Sequence, residues 1–147
     1  MQARDLMTEN PSCCRPDATI QEVARMMVEH DCGEIPIVDS VGVPVGVITD
    51  RDICCRVTAH GVHGGEARVG DYMTTPAVTV RRMDTADECR RIMEEHMIRR
   101  VPVVDENGIC VGIISQADVA KKEDSYAISH LLKEVSTPIP NSNSFGY

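Results

Sequence analysis

Displaced by 66 positions, the chain aligns with itself from Asp5 to Asp52 and from Asp71 to Asp118 without a gap. Of these 48 pairs 18 are identical, among them Met7/Met73, His30/His96, Pro36/Pro102 and Gly46/Gly112. Unrelated segments would share about three pairs at ordinary residue usage. A repeat this long limits the chain to two halves of similar fold, either two small domains or one domain with a common core.

Each copy opens with Asp-x-Met-Thr and passes a turn containing Pro11 or Pro76. A brief strand is predicted at 12–14 in the first copy and at 77–80 in the second. Thr19-x-x-Glu22 and Thr85-x-x-Glu88 fit a capping box, in which each side chain satisfies a free backbone N–H of the first helical turn. Helices therefore start there. Ile20, Val23, Met26 and Met27, and correspondingly Ala86, Cys89, Ile92 and Met93, recur at helical spacing and form one apolar stripe, while Arg25, Glu29, Arg91 and Glu95 fall on the other face.

Ile35-Pro36-Ile37-Val38-Asp39 and Val101-Pro102-Val103-Val104-Asp105 read as strands whose proline, lacking a donor, suits an edge or a ligand-facing position. A turn at Gly42 or Gly108 leads into a second strand, over 43–48 or 109–114. A helix then runs to about Thr58 or Lys122. The predicted unit is strand, helix, strand, strand, helix, which places the chain in the mixed α/β class. Residues 1–58 form the first repeat, the glycine- and histidine-rich segment 59–68 a linker, and 69–123 the second repeat. A further helix is expected over 124–135, capped by Asp124 or Ser125 and burying Ile128, Leu131 and Leu132. A mobile tail, rich in Ser, Asn and Pro, follows to Tyr147.

Several function classes are disfavoured by composition. The net charge of -8, the lack of any basic run and the near absence of aromatics (no Trp, one Phe) argue against nucleic acid. No apolar stretch approaches the length of a membrane span, and residues 1–14 lack the apolar core of a signal peptide, so a cytoplasmic protein is expected. The seven cysteines include the adjacent pairs Cys13-Cys14 and Cys54-Cys55 and no Cys-x-x-Cys. They read as buried, reduced thiols.

The most informative motif is Gly46-Val47-Ile48-Thr49-Asp50-Arg51-Asp52, repeated as Gly112-Ile113-Ile114-Ser115-Gln116-Ala117-Asp118. As structure alone, the hydroxyl residue is a helix cap and the aspartate complements the helix dipole. As a site, the same free N–H groups and hydroxyl receive a phosphate, while the aspartate accepts two hydrogen bonds from a ribose diol.

With its two Met-Thr openings, its Ile-Pro-Ile-Val-Asp and Val-Pro-Val-Val-Asp strands and its two Gly-x-x-Thr/Ser-x-x-Asp elements, the chain resembles the tandem cystathionine-β-synthase-type (CBS) domain pair, a regulatory module, over residues 4–122. The resemblance implies two repeats packed sheet to sheet about a pseudo-twofold axis, with a homodimer built through the first and second helices. It also implies two clefts that bind adenosine compounds: AMP, ADP, ATP or S-adenosylmethionine. In one cleft Asp118 would hold the ribose, Ser115 and Arg99 a phosphate and Ile113 the base, walled by Ser12, Cys32 and Gly33. The mirror cleft would use Asp52, Thr49, Arg51 and Val47, with Val78, Ile98 and Arg99. Arg99 and Arg100 stand where the first copy has Gly33 and Glu34, and Arg51 has no cationic counterpart in the second copy.

Catalysis finds little support. No nucleophile and base stand at meaningful spacing, and neither a Walker loop nor a dinucleotide fingerprint is present. No cofactor is required. His60 and His63 sit among glycines without a third ligand, which makes a poor metal frame, and His30 and His96 suit the ends of their helices. The alternatives are an interaction module with empty clefts that docks a partner protein, or a thiol-based redox responder using Cys13, Cys14 or Cys32.

Overall fold

The computed structural model describes residues 1–135, without the side chains of several residues late in the final helix. The elements in order are α1 (Ala3–Leu6), β1 (Thr8–Glu9), α2 (Ile20–Glu29), β2 (Glu34–Val38), β3 (Pro44–Thr49) and α3 (Asp50–Asp52). The second half follows with α4 (Val69–Tyr72), β4 (Val80–Arg81), α5 (Ala86–Glu95), β5 (Arg100–Val104), β6 (Cys110–Ser115) and α6 (Gln116–Val135). The architecture is the expected mixed α/β pair of similar repeats.

Both predicted capping boxes form. The Thr19 hydroxyl accepts from the Glu22 N–H at 3.1 Å while the Glu22 carboxylate accepts from the Thr19 N–H at 3.0 Å. Thr85 and Glu88 repeat the exchange at 3.1 and 2.7 Å. The apolar stripes bury as their spacing requires, with Ile20, Val23 and Met27 packing on β2 and β3, and Ala86, Cys89 and Met93 packing on β5 and β6.

The halves exchange their opening segments. Ala3 and Leu6 of α1, at the start of the first copy, pack in the second core, whereas Val69 of α4, at the start of the second, packs in the first. Burying a side chain the size of Leu6 stabilises by about 2 kcal/mol, so each opening segment ties the two repeats together. The strands follow suit: Thr8 and Glu9 pair with Ile113 and Gly112, giving a sheet ordered β1-β6-β5-β4. Thr74 makes the equivalent bridge to Val47 on the edge of the β2-β3 hairpin.

Close crossing explains the two motif glycines. A Cβ on Gly46 would lie 2.8 Å from both the Thr74 carbonyl oxygen and the Met73 sulfur, and one on Gly112 would strike the Met7 side chain. A side chain at either position would push the exchanged segment off the strand.

One proline-bearing strand is interior rather than at an edge, and the other meets a single-residue bridge on the open side of its two-stranded sheet. β5 lies between β6 and β4, and β2 is bridged on its far side by Cys14. Cys14 donates to the Pro36 carbonyl at 3.2 Å and accepts from the Val38 N–H at 2.9 Å. The next rung would need an N–H from residue 36 to the Ser12 carbonyl, and proline has none. The ladder stops one rung early, which reduces the expected strand at 12–14 to the single residue Cys14. In the second copy the strand sits at 80–81 rather than 77–80.

Other expectations are corrected as well. The helix after β3 is not regular: α3 widens into a π turn at Ile53–Val57 and tightens into a 3-10 turn at Thr58–His60, closed by Gly61 at φ 71°. Val57, only 1% exposed, points inward from that turn while Cys54 and Cys55 face solvent, so the cysteines are free but not uniformly buried. The expected break between Lys122 and Asp124 is absent. α6 is continuous, and Ser125 donates to the Lys121 carbonyl at 3.0 Å as an interior helical residue does, rather than capping. Leu132 is 51% exposed instead of buried. Ile128, Leu131 and the segment after Val135 lie outside what is described.

Candidate functional site

A cavity of about 350 Å³ opens between the repeats. From the second copy it is lined by Ile113 and Ser115 at the end of β6, Asp118 in the first turn of α6, and Arg100 at the start of β5. The first copy supplies Thr8, Asn10, Pro11 and Ser12 from β1 and the loop after it. It also supplies His30, Asp31, Cys32 and Glu34 from the passage between α2 and β2. The exchanged strand explains this union. Pairing of Thr8 with Ile113 carries the first copy's loop across the second copy's sheet, and the interrupted ladder at Pro36 releases Ser12 toward the opening. Asn10 and Asp31 take left-handed backbone angles at φ 51° and 48°, a conformation that Asn and Asp tolerate better than other side chains.

At the mouth of α6 the Ser115 hydroxyl accepts from the Asp118 N–H, and the Asp118 carboxylate accepts from the Ser115 N–H, both at 3.0 Å. The motif thus caps its helix and lines a cavity at once. One Asp118 oxygen, Oδ2, is engaged by the cap.

Of the seven residues assigned by resemblance to this cleft, five line the cavity: Asp118, Ser115, Ile113, Ser12 and Cys32. Arg99 does not. Its carbonyl accepts from the Gln116 N–H at 2.7 Å, and the guanidinium lining the cavity is that of the next residue, Arg100. Gly33 stands just behind. Its carbonyl accepts from the Asp50 N–H at 2.9 Å, and a Cβ there would fall 3.2 Å from Arg100 Nη1 and 2.9 Å from Asp50 Oδ2, so a side chain would make both flexible groups shift.

The mirror set is arranged differently. Thr49 and Asp52 form the same reciprocal cap, at 3.0 and 3.1 Å. Asp52 Oδ2 also accepts from the Thr74 hydroxyl at 3.5 Å, and Oδ1 lies 3.9 Å from Arg56. Val47 is bridged to Thr74, Arg51 is exposed, and Val78 and Ile98 pack against the second core. A second cavity of about 250 Å³ lies elsewhere, between the start of α2 and the linker, and is lined by Ile20, Val57, His63 and Gly64 among others. Neither cavity is lined by Val47, Thr49, Arg51 or Asp52.

The other seven lining residues, Thr8, Asn10, Pro11, His30, Asp31, Glu34 and Arg100, were not assigned to the cleft from sequence, and two of them are instructive. His30, taken as a helix-end residue, does cap α2, its N–H donating to the Met26 carbonyl at 3.0 Å, and it also faces the cavity. Glu34 is only 7% exposed, and its Oε2 has no hydrogen-bond partner among the described residues. Burial pushes its carboxyl up to about 7, with Arg100 pulling it back in part and Asp52 adding to the rise. The signal was available in the repeat, since Glu34 is the counterpart of Arg100 and is the one charged residue inside an otherwise apolar strand.

The thiols divide by environment. Burial pushes Cys14 and Cys89 up to about 11, whereas a hydrogen bond from the Cys110 thiol lowers Cys13. Among the described residues no three His, Cys, Asp or Glu side chains are gathered to hold a metal ion, and no helix is long and apolar enough to cross a membrane.

Comparison with known proteins agrees with this layout. The chain is 38% identical over 122 residues to the CBS domain-containing protein YhcV of Bacillus subtilis, covering 83% of this chain and 85% of that protein. It is 34% identical over 137 residues to Hypoxic response protein 1 of Mycobacterium tuberculosis, covering 93% and 95%. Among solved structures, Hypoxic Response Protein I with two coordinated zinc ions superposes with a TM-score of 0.76 at 35% identity, covering 82% of this chain and 98% of that one. The CBS domain pair of protein MJ0100, in complex with 5′-methylthioadenosine and S-adenosyl-L-methionine, gives 0.75 at 27%, covering 84% and 99%. CBSX2 in complex with AMP gives 0.74 at 25%, covering 86% and 98%. Inosine-5′-monophosphate dehydrogenase of Nitrosopumilus maritimus is matched over only 24% of its length. The CBS domain family model matches residues 3–58 and again 69–124, so the chain belongs to the CBS domain family and is a tandem pair of such domains.

Proposed function

We propose that the chain is a non-catalytic regulatory module that binds an adenosine-containing ligand in the cleft between its repeats. The observation that carries this is the 350 Å³ cavity walled by both copies, with the Ser115–Asp118 cap at its edge. In this assignment the free oxygen of Asp118 takes the ribose diol, Ile113 and Pro11 flank the base, and the 5′ substituent extends past Ser115 toward Arg100. Solved relatives holding AMP, or 5′-methylthioadenosine and S-adenosyl-L-methionine, support the ligand class. The mirror residues Thr49, Arg51, Asp52 and Val47, with Val78, Ile98 and Arg99, are a second site only if a ligand displaces the contacts of Asp52 with Thr74 and Arg56.

Because the cleft is made of both repeats, ligand energy acts on their relative placement and on whatever surface a protein partner reads. A cytoplasmic homodimer is the form we assign. The exposed apolar side chains Val28 on α2 and Met97 just after α5, 82% and 91% exposed, support it, since a second copy would cover them.

Thermal unfolding against AMP, ADP, ATP, 5′-methylthioadenosine and S-adenosylmethionine tests the assignment. A ligand at a hundred times its dissociation constant stabilises by about 2.7 kcal/mol. No shift with any of them would overturn it.

A further inference from the structure

We infer that the cleft selects adenosine compounds whose 5′ substituent carries a net positive charge, and that Glu34 is the residue that imposes the choice. The inference deepens the adenosine assignment and rests on it. Three acidic residues line the cavity, Asp31, Glu34 and Asp118, against one arginine, Arg100. A triphosphate tail entering this cleft would meet more acid than base.

Glu34 differs from its neighbours in kind. Asp118 has one oxygen engaged in its helix cap, whereas Glu34 is more than nine-tenths buried with Oε2 unpartnered among the described residues. A carboxyl so buried, with one oxygen lacking a partner, is costly to ionise, and a positive charge held nearby in the cavity would offset that cost. Arg100, close enough to Glu34 to lower its proton affinity, supplies the complementary charge. Together the two match a zwitterionic 5′ substituent that carries one further cationic centre, since the lining residues hold more carboxyls than guanidinium. The repeat adds an independent reason. Glu34 and Arg100 occupy equivalent positions in the two copies, so opposite charges line one cavity where two identical repeats would place like ones.

The carboxyl is ionised only above about pH 7. The groups facing it are Arg100 on β5, Asp52 on α3, Asp118 on α6, and His30, Asp31 and Cys32 from the end of α2. The charge preference therefore strengthens with pH as Glu34 ionises.

Calorimetric titration of the full chain at pH 8 compares S-adenosylmethionine with its uncharged-sulfur analogue S-adenosylhomocysteine, with neutral 5′-methylthioadenosine and with ATP. S-adenosylmethionine is expected to bind about tenfold or more tightly than S-adenosylhomocysteine and ATP. Glu34→Gln should reduce that preference at least fivefold while 5′-methylthioadenosine binding changes less than twofold. Lowering the pH to 6 should shrink the preference in the parent and leave it unaltered in the variant. Equal binding of S-adenosylmethionine and S-adenosylhomocysteine by the parent, or tighter binding of ATP, overturns the inference without any variant. If 5′-methylthioadenosine binds but charge makes no difference, the charge selection alone fails. If no adenosine compound binds, the adenosine assignment fails with it.

Discussion

At the residue scale, single side chains serve the fold and the cavity together. Ser115 and Asp118 satisfy the first turn of α6 and also line the opening, so capping the helix does not take them away from the cavity. That dual use was legible because both partners of the cap are three residues apart, a local relation that spacing encodes. Glu34 was harder to see, because its burial comes from elements distant in the chain. Its stability effect follows from linkage. An acid whose folded value is raised from 4.5 to about 7 holds its proton longer in the folded state. Folding carries no penalty from it below about pH 4.5, accumulates one between there and 7, and keeps it above. The full penalty is on the order of 3 kcal/mol, at about 1.4 kcal/mol for each pH unit of separation. Glu34→Gln removes it, so urea unfolding should show the variant gaining stability relative to the parent as pH rises from 5 to 8. A constant difference over that range would show that Glu34 does not titrate as its burial demands.

At the element scale, the exchange of opening segments is what assembles the cleft. Gly46 and Gly112 exist for that crossing, and the case is firmer at Gly46 because its obstacle is backbone, the Thr74 carbonyl at 2.8 Å. Gly46→Ala should cost about 1 to 3 kcal/mol by overpacking, and the N–H of Thr74, which donates to the Val47 carbonyl at 2.8 Å, should lose protection from hydrogen exchange before the β5–β6 pairs do. Unchanged protection at Thr74 would mean the crossing tolerates a side chain. The repeat, the capping boxes and the four longer strands were legible because their signals are local and occur twice. The two-residue strand β1 was not, since nothing in Thr8-Glu9 marks a partner at Gly112 and Ile113 some hundred positions on. α6 was misjudged for a related reason. Asp124 and Ser125 look like a cap, but no Gly or Pro stops the helix between Gln116 and Val135, and the serine hydroxyl bonds back into the preceding turn.

At the scale of the whole molecule, the two repeats are alike in fold and unlike in charge. One cleft is open and acidic, with its cation contributed by Arg100 rather than Arg99, while around Asp52 the equivalent hydroxyl and carboxylate are drawn to Thr74 and Arg56. The sequence asymmetry at Arg51 pointed to the first copy's motif as the stronger phosphate site, yet the cavity gathers the second copy's motif, because whether a cleft opens depends on the neighbours of the motif and not on the motif alone. Residues 1–9 cross onto the second half, where Ala3 and Leu6 pack in its core and Thr8 and Glu9 pair with β6. The most direct measurement is calorimetric titration of 5′-methylthioadenosine into the parent and into Asp118→Asn, whose amide oxygen still accepts the cap from Ser115 but carries no charge for a ribose diol. The account predicts one saturable site in the parent, with affinity falling about tenfold or more in the variant at an unchanged melting temperature. Equal affinity in the two proteins, or no binding to the parent, would contradict it.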